Sequence, residues 1–138
     1  MWLLRQRRRY LIVIDILSKV NTRLGIAVKA ICPNTGTVTA DSSPAKFPFL
    51  SVNQLNNRST GEDFENGENA VISDIELQAY SLKSVNESRI IIALANDEMR
   101  KIGYHRTAGG YEVKNITDTK VKRILARYRR TISSGDEL

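Results

Sequence analysis

The sequence predicts a single domain that mixes helix and strand. Three observations point there. Ser84 to Gly103 carries helical spacing with both ends marked, Ala70 to Tyr80 alternates as a half-buried strand does, and 138 residues suit one domain. A chain of about 150 residues buries roughly 68–70% of its unfolded surface, so a real core is within reach. Hydrophobic content of 41% and charged content of 26% fit a globular protein.

The helix is the clearest element. Ser84 is placed to cap it, and Glu87, three residues on, to reach back to the Ser84 backbone N–H as a capping box. Ile91, Leu94, Ala95, Met99 and Ile102 then fall on one face. Arg100 and Lys101 suit the dipole of the last turn, and Gly103 supplies a left-handed end.

In chain order, Met1 to Arg9 reads as a basic, mobile leader. Tyr10 to Leu24 is expected to be a helix with Val13, Leu17, Val20 and Leu24 inward and Gly25 at its end. Ile26 to Ile31 fits a strand or a helix extension equally. Pro33-Asn34-Thr35-Gly36 is a turn signature, Thr37 to Ala40 suggests a short strand, and Asp41 to Pro44 a break. Lys46 to Leu55 alternates, with Phe47, Phe49 and Leu55 on one face and Pro48 marking a strand edge or start. Asn56 to Asn69 reads as a long acidic loop.

In the strand Ala70–Tyr80, Val71, Ile75, Leu77 and Ala79 point inward, with Asp74, Glu76 and Gln78 outward. Tyr104–Thr107 and Tyr111–Val113 flank Ala108-Gly109-Gly110 as a hairpin would. Val121 to Ile132 is ambiguous. Val121, Ile124, Leu125, Tyr128 and Ile132 fit a helix slightly better, yet even and odd positions also alternate as in a strand. The expected organisation is a leader at 1–9, one domain at 10–132 and a flexible tail at 133–138.

Charge is uneven. The net charge is +6, with basic excess in residues 1–30 and 100–130, while Glu62, Asp63, Glu65 and Glu68 face only Arg58 in residues 58–68. Such polarity steers assembly with a complementary neighbour or binds nucleic acid. Cys32 and His105 are single, so no internal disulfide, zinc framework, histidine triad or multi-histidine metal site is expected. No phosphate loop, dinucleotide fingerprint or calcium-loop spacing appears, and Gly109-Gly110 lacks the helix start a phosphate loop needs.

His105 has no partner at a telling spacing for catalysis, and Cys32 reads as a small buried hydrophobe. Tyr10–Leu17 is too short for a membrane span, which takes about 20 residues. It lacks the cleavage site of a signal peptide, so the Gly135–Leu138 retention-like end and the three glycosylation sequons are set aside. The serious functional candidate is the strip Arg123, Arg127 and Arg129, which on a strand shares one face and could meet phosphates or acidic side chains. Only Tyr128 interleaves it, so base stacking is poorly supported.

The order of these features resembles the tail terminator, or tail completion, proteins of long-tailed bacteriophages. A short helix leads to Lys46-Phe47-Pro48-Phe49-Leu50. Asn56-Asn57 opens the acidic loop, and a strand ends at Ala79-Tyr80-Ser81. A helix closes on Met99 to Arg106, and Arg127-Tyr128-Arg129 lies in a basic strand. The resemblance spans about residues 10–132 and rests on element order and residue pairs. It implies an α+β fold, with two helices on a mostly antiparallel sheet and the last segment a strand. It also implies a hexameric ring in the virion, which can be monomeric in isolation. That ring would cap the tail tube, meet the tube protein and the head connector, and let DNA pass without sequence-specific binding.

No enzyme activity, cofactor, metal or membrane is implied, and no catalytic residue is carried over. The interface candidates are Arg58, Glu62, Asp63, Glu65, Glu68, Arg123, Arg127 and Arg129, the acidic loop and basic strip being opposite halves of a subunit contact. The alternatives are a neighbouring neck protein or a small basic nucleic-acid-binding module.

Overall fold

In a computed structural model, the described residues are 16–38, 44–60, 70–114 and 120–133. They form an α+β domain with two helices and a five-stranded, mostly antiparallel sheet. Helix α1 covers residues 16–28. The strands are β1 (Asn34–Gly36), β2 (Phe49–Thr60), β3 (Ala70–Ser81), β4 (His105–Lys114) and β5 (Lys122–Ser133), with helix α2 (Val85–Lys101) between β3 and β4. Sheet order is β1-β2-β3-β5-β4. Only the β1–β2 pair is parallel. The expected leader at 1–9 lies outside the described residues, as does most of the tail.

The core forms where the helices meet one sheet face. Every fourth residue of α1 is buried: Ile16, Val20, Leu24 and Val28. Helix α2 adds Ile91, Ile92, Ala95 and Met99, and the sheet adds Leu50, Val52, Ile75, Leu77, Ala79, Ile124, Ala126 and Tyr128. Fully burying a side chain of this kind contributes about 1.5–3 kcal/mol. Arg23 of α1 pairs with Glu98 of α2 at 2.9 Å, joining the helices at the rim.

Several elements differ from the sequence reading. Helix α1 continues through Gly25 to residue 28, because Val28 extends the buried stripe one more turn. That stripe runs through Ile16, leaving Leu17 partly buried at its margin. Val13 lies outside the described residues. Pro33–Gly36 makes no turn. Asn34–Gly36 is strand β1, tied by Asn34 Nδ2 to the Pro48 carbonyl at 3.0 Å. Thr37 and Val38 fall outside the strands and bond β2 through Thr37 Oγ1 to the Val52 carbonyl and Asn53 Nδ2 to the Val38 carbonyl.

Strand β2 starts immediately after Pro48, but it buries Leu50 and Val52 instead of Phe49 and Leu55. A register shift between Gln54 and Asn56 breaks the alternation at Leu55, which is half exposed. The strand also takes in Asn56–Thr60, so Arg58 lies opposite Ile72 in the β2–β3 ladder and not in a loop. Gly109-Gly110 is not a hairpin turn: both glycines lie inside β4, Gly109 paired with Ala126 and Gly110 at the second of two register shifts against β5. The last segment is a strand, paired along its length with β3 and along much of it with β4, so the helical reading of Val121–Ile132 fails.

Candidate functional site

The charged candidates gather on the sheet face opposite the helices. Alternation in β5 sends Ile124, Ala126 and Tyr128 into the core, which puts Arg123, Arg127 and Arg129 together on the other side. The β3–β5 register sets Tyr80 opposite Arg123, Glu76 opposite Arg127 and Asp74 opposite Arg129. The result is a cross-strand row of ion pairs. Arg129 Nε donates to Asp74 Oδ1 at 2.7 Å, and Arg127 Nε to Glu76 Oε2 at 2.9 Å. The hydrogen bond and charge of Asp74 hold the Arg129 guanidinium above its ordinary pKa.

The row continues as a bonded chain. Gln78 Nε2 donates to Glu76 Oε1 at 2.7 Å, and Tyr80 OH donates to Gln78 Oε1 at 3.2 Å. The Arg123 guanidinium stands 5.8 Å from the centre of the Tyr80 ring, a cation–π contact. Glu76, Gln78 and Tyr80, expected to be solvated outward residues or unassigned, are buried in this row.

The three arginines share one face, as expected of a strand, and two of them meet acidic side chains of the same chain. A phosphate arriving at Arg127 or Arg129 would meet a guanidinium whose charge Glu76 or Asp74 already offsets. The pairs join β5 to β3 side by side and offset charge. Glu62, Asp63, Glu65 and Glu68 lie outside the described residues, so the row and the acidic segment are not seen together. Cys32 is buried, its Sγ donates to the Asn34 carbonyl at 3.3 Å, and burial pushes its thiol pKa up. That is the chemistry of a packed side chain, not a nucleophile. His105 opens β4 opposite Arg129 and is exposed.

A second surface escaped the sequence reading. Two adjoining hollows, of about 520 and 270 Å³, run between α2 and β4 and share Asn96 and Arg106. Arg89, Asn96 and Arg100 line them from α2, at positions seven and four residues apart on the helix flank. Arg106 lines them from the sheet, and Asp97 is the one carboxylate among the described residues that do. Asn96 Oδ1 accepts from the buried Tyr128 OH at 2.9 Å, which fixes the amide. The available signal was the spacing of Arg89, Ala93, Asn96 and Arg100, but nothing local shows that Arg106 returns to meet them.

Among the described residues, no group of three or more His, Cys, Asp or Glu side chains could hold a metal, and no helix is long and apolar enough to cross a membrane. The chain is thus a small α+β domain whose polar features are charged surfaces on either side of one sheet. No protein-family model and no curated protein matches it.

Proposed function

We propose that this protein is a tail terminator of a long-tailed bacteriophage. It caps the head-proximal end of the tail tube as a ring, ends tube polymerisation and offers the surface to which heads join. One observation carries this reading. Four of the residue groups on which the resemblance rests stand at an element boundary or ladder position of the two-layer architecture, while Asn56-Asn57 falls inside β2 and the acidic segment lies outside the described residues. Phe47-Pro48 opens β2, Ala79-Tyr80-Ser81 closes β3, Arg100 to Gly103 closes α2, and Arg127-Tyr128-Arg129 sits in β5. Charge of opposite sign in separate stretches of the sequence also suits a head-to-tail ring, whose contact joins two different patches. The pairing of Arg127 and Arg129 with carboxylates of the same chain favours this reading over the nucleic-acid alternative, which drew on the basic strip and the leader.

Electron microscopy of tails assembled with and without the protein tests the proposal. Tails of unregulated length, or tails that fail to join heads, are expected in its absence. Charge reversal at Glu62, Asp63, Glu65 and Glu68 is expected to block joining. Tails and infectious particles indistinguishable from normal without the protein would overturn the reading.

A further inference from the structure

We infer that the α2–β4 groove is the basic half of the subunit contact and receives the acidic segment Glu62–Glu68 of a second copy of this chain. The inference rests on the ring reading and corrects its chemistry. The β5 arginines first assigned to this role are engaged: Arg127 with Glu76, Arg129 with Asp74, and Arg123 over Tyr80. Arg89, Arg100 and Arg106 have no carboxylate partner among the described residues. They line the groove with Asn96, against Asp97 alone among the described residues.

Each guanidinium offers a planar set of donors that matches a carboxylate. The acidic segment supplies four carboxylates, and Glu62, Glu65 and Glu68 recur every third residue. Three arginines around hollows of this size suit a few side chains better than a duplex backbone, which rewards a longer row of cations. A second copy fits because a closing ring needs the donor patch and the acceptor patch on every subunit.

The test uses the full-length, ¹⁵N-labelled chain carrying E62Q, D63N, E65Q and E68Q, so that its own segment does not compete. A synthetic peptide of residues 58–70 is titrated into it and followed by NMR. The expected result is amide shifts at Arg89, Asn96, Arg100, Gly103 and Arg106, weakened steeply between about 50 mM and about 500 mM salt. R100E/R106E should reduce affinity at least tenfold, and the milder R100Q/R106Q should do so with an unchanged spectrum elsewhere, which separates lost contact from lost fold.

Absence of groove shifts, or shifts confined to the Arg127–Arg129 row, would overturn the inference. So would a short DNA duplex that shifts the groove more strongly than the peptide. Groove amides already at their bound positions in a dilute, monomeric unsubstituted chain would overturn it as well, since the segment would then serve its own groove. Tail-length regulation is read separately. Loss of length control without peptide binding refutes this contact and leaves termination standing; peptide binding with normal tails does the reverse.

Discussion

Among the described glycines, Gly109 has the closest neighbours. Its φ is +112°, and a Cβ built there would stand 2.3 Å from Ala126 Cα and 2.4 Å from the Leu125 carbonyl oxygen. Both neighbours are backbone of the interior strand β5, so neither can swing aside as a side-chain tip would. Gly109→Ala therefore forces β4 off β5, and the expected loss is about 3 kcal/mol, at the upper end of overpacking costs. Urea denaturation measures it; a loss below about 0.5 kcal/mol, the range of ordinary surface changes, would show that the strands do not approach so closely. The matched change Gly110→Ala meets only the flexible tip of Arg106 at 3.6 Å and carries the backbone strain alone. The sequence showed that these glycines mattered but not how. Gly-Gly between short aromatic runs is compatible with a turn, and only the register against β5 makes it a close approach within a strand.

At the scale of elements, α2 was legible because its signals are local. The N-cap is as expected: Ser84 Oγ accepts from Glu87 N at 3.1 Å. The reciprocal half of the box is different. Glu87 Oε1 accepts from Ser81 Oγ at 2.8 Å, and Ser81 Oγ in turn accepts from the backbone N–H groups of Lys83 and Ser84. The buried Ser81, last residue of β3, thus relays between strand end and helix start. Ser81→Ala removes the acceptor for two N–H groups and the donor to Glu87, with an expected cost of about 2 kcal/mol, against about 1 kcal/mol for Ser84→Ala. Thermal unfolding of the two variants checks the order, and a Ser81→Ala protein as stable as the parent would refute the relay. Strand β5 was not legible because its two periodicities are nearly equal. The decision lies with β3 and β4, whose registers no local pattern encodes. The ion-pair row was half legible for the same reason. Alternation grouped Arg123, Arg127 and Arg129, but which carboxylates face them depends on pairing across some 50 residues of sequence.

For the molecule as a whole, the two layers are stitched by buried phenols, and this gives stability a defined alkaline limit. Tyr128 OH bonds Asn96 Oδ1 of α2 at 2.9 Å, and Tyr104 OH shares a 2.9 Å hydrogen bond with Ser73 of β3. Burial pushes the Tyr128 pKa from 10 to about 12, with Arg106 lowering it and Asp97 raising it further; Tyr104 is raised by the same cause. The folded chain thus holds phenol protons that the unfolded chain releases near pH 10. The stabilisation is complete below that pH and is lost as pH climbs towards 12. An opposing effect comes from the net charge of +6, which shrinks in alkali and relieves self-repulsion. Surface charges more than about 10 Å apart are largely screened at 0.1 M salt, whereas a buried phenol is not, so the phenols decide the sign. Unfolding free energy should fall between pH 10 and 12. Tyr128→Phe should cost about 1 kcal/mol at neutral pH, by leaving Asn96 Oδ1 without its donor, yet flatten the alkaline slope. Denaturant titrations at both pH values measure the two effects. A variant with the parent's slope, or a parent protein that gains stability above pH 10, would show that the phenols do not govern the alkaline limit.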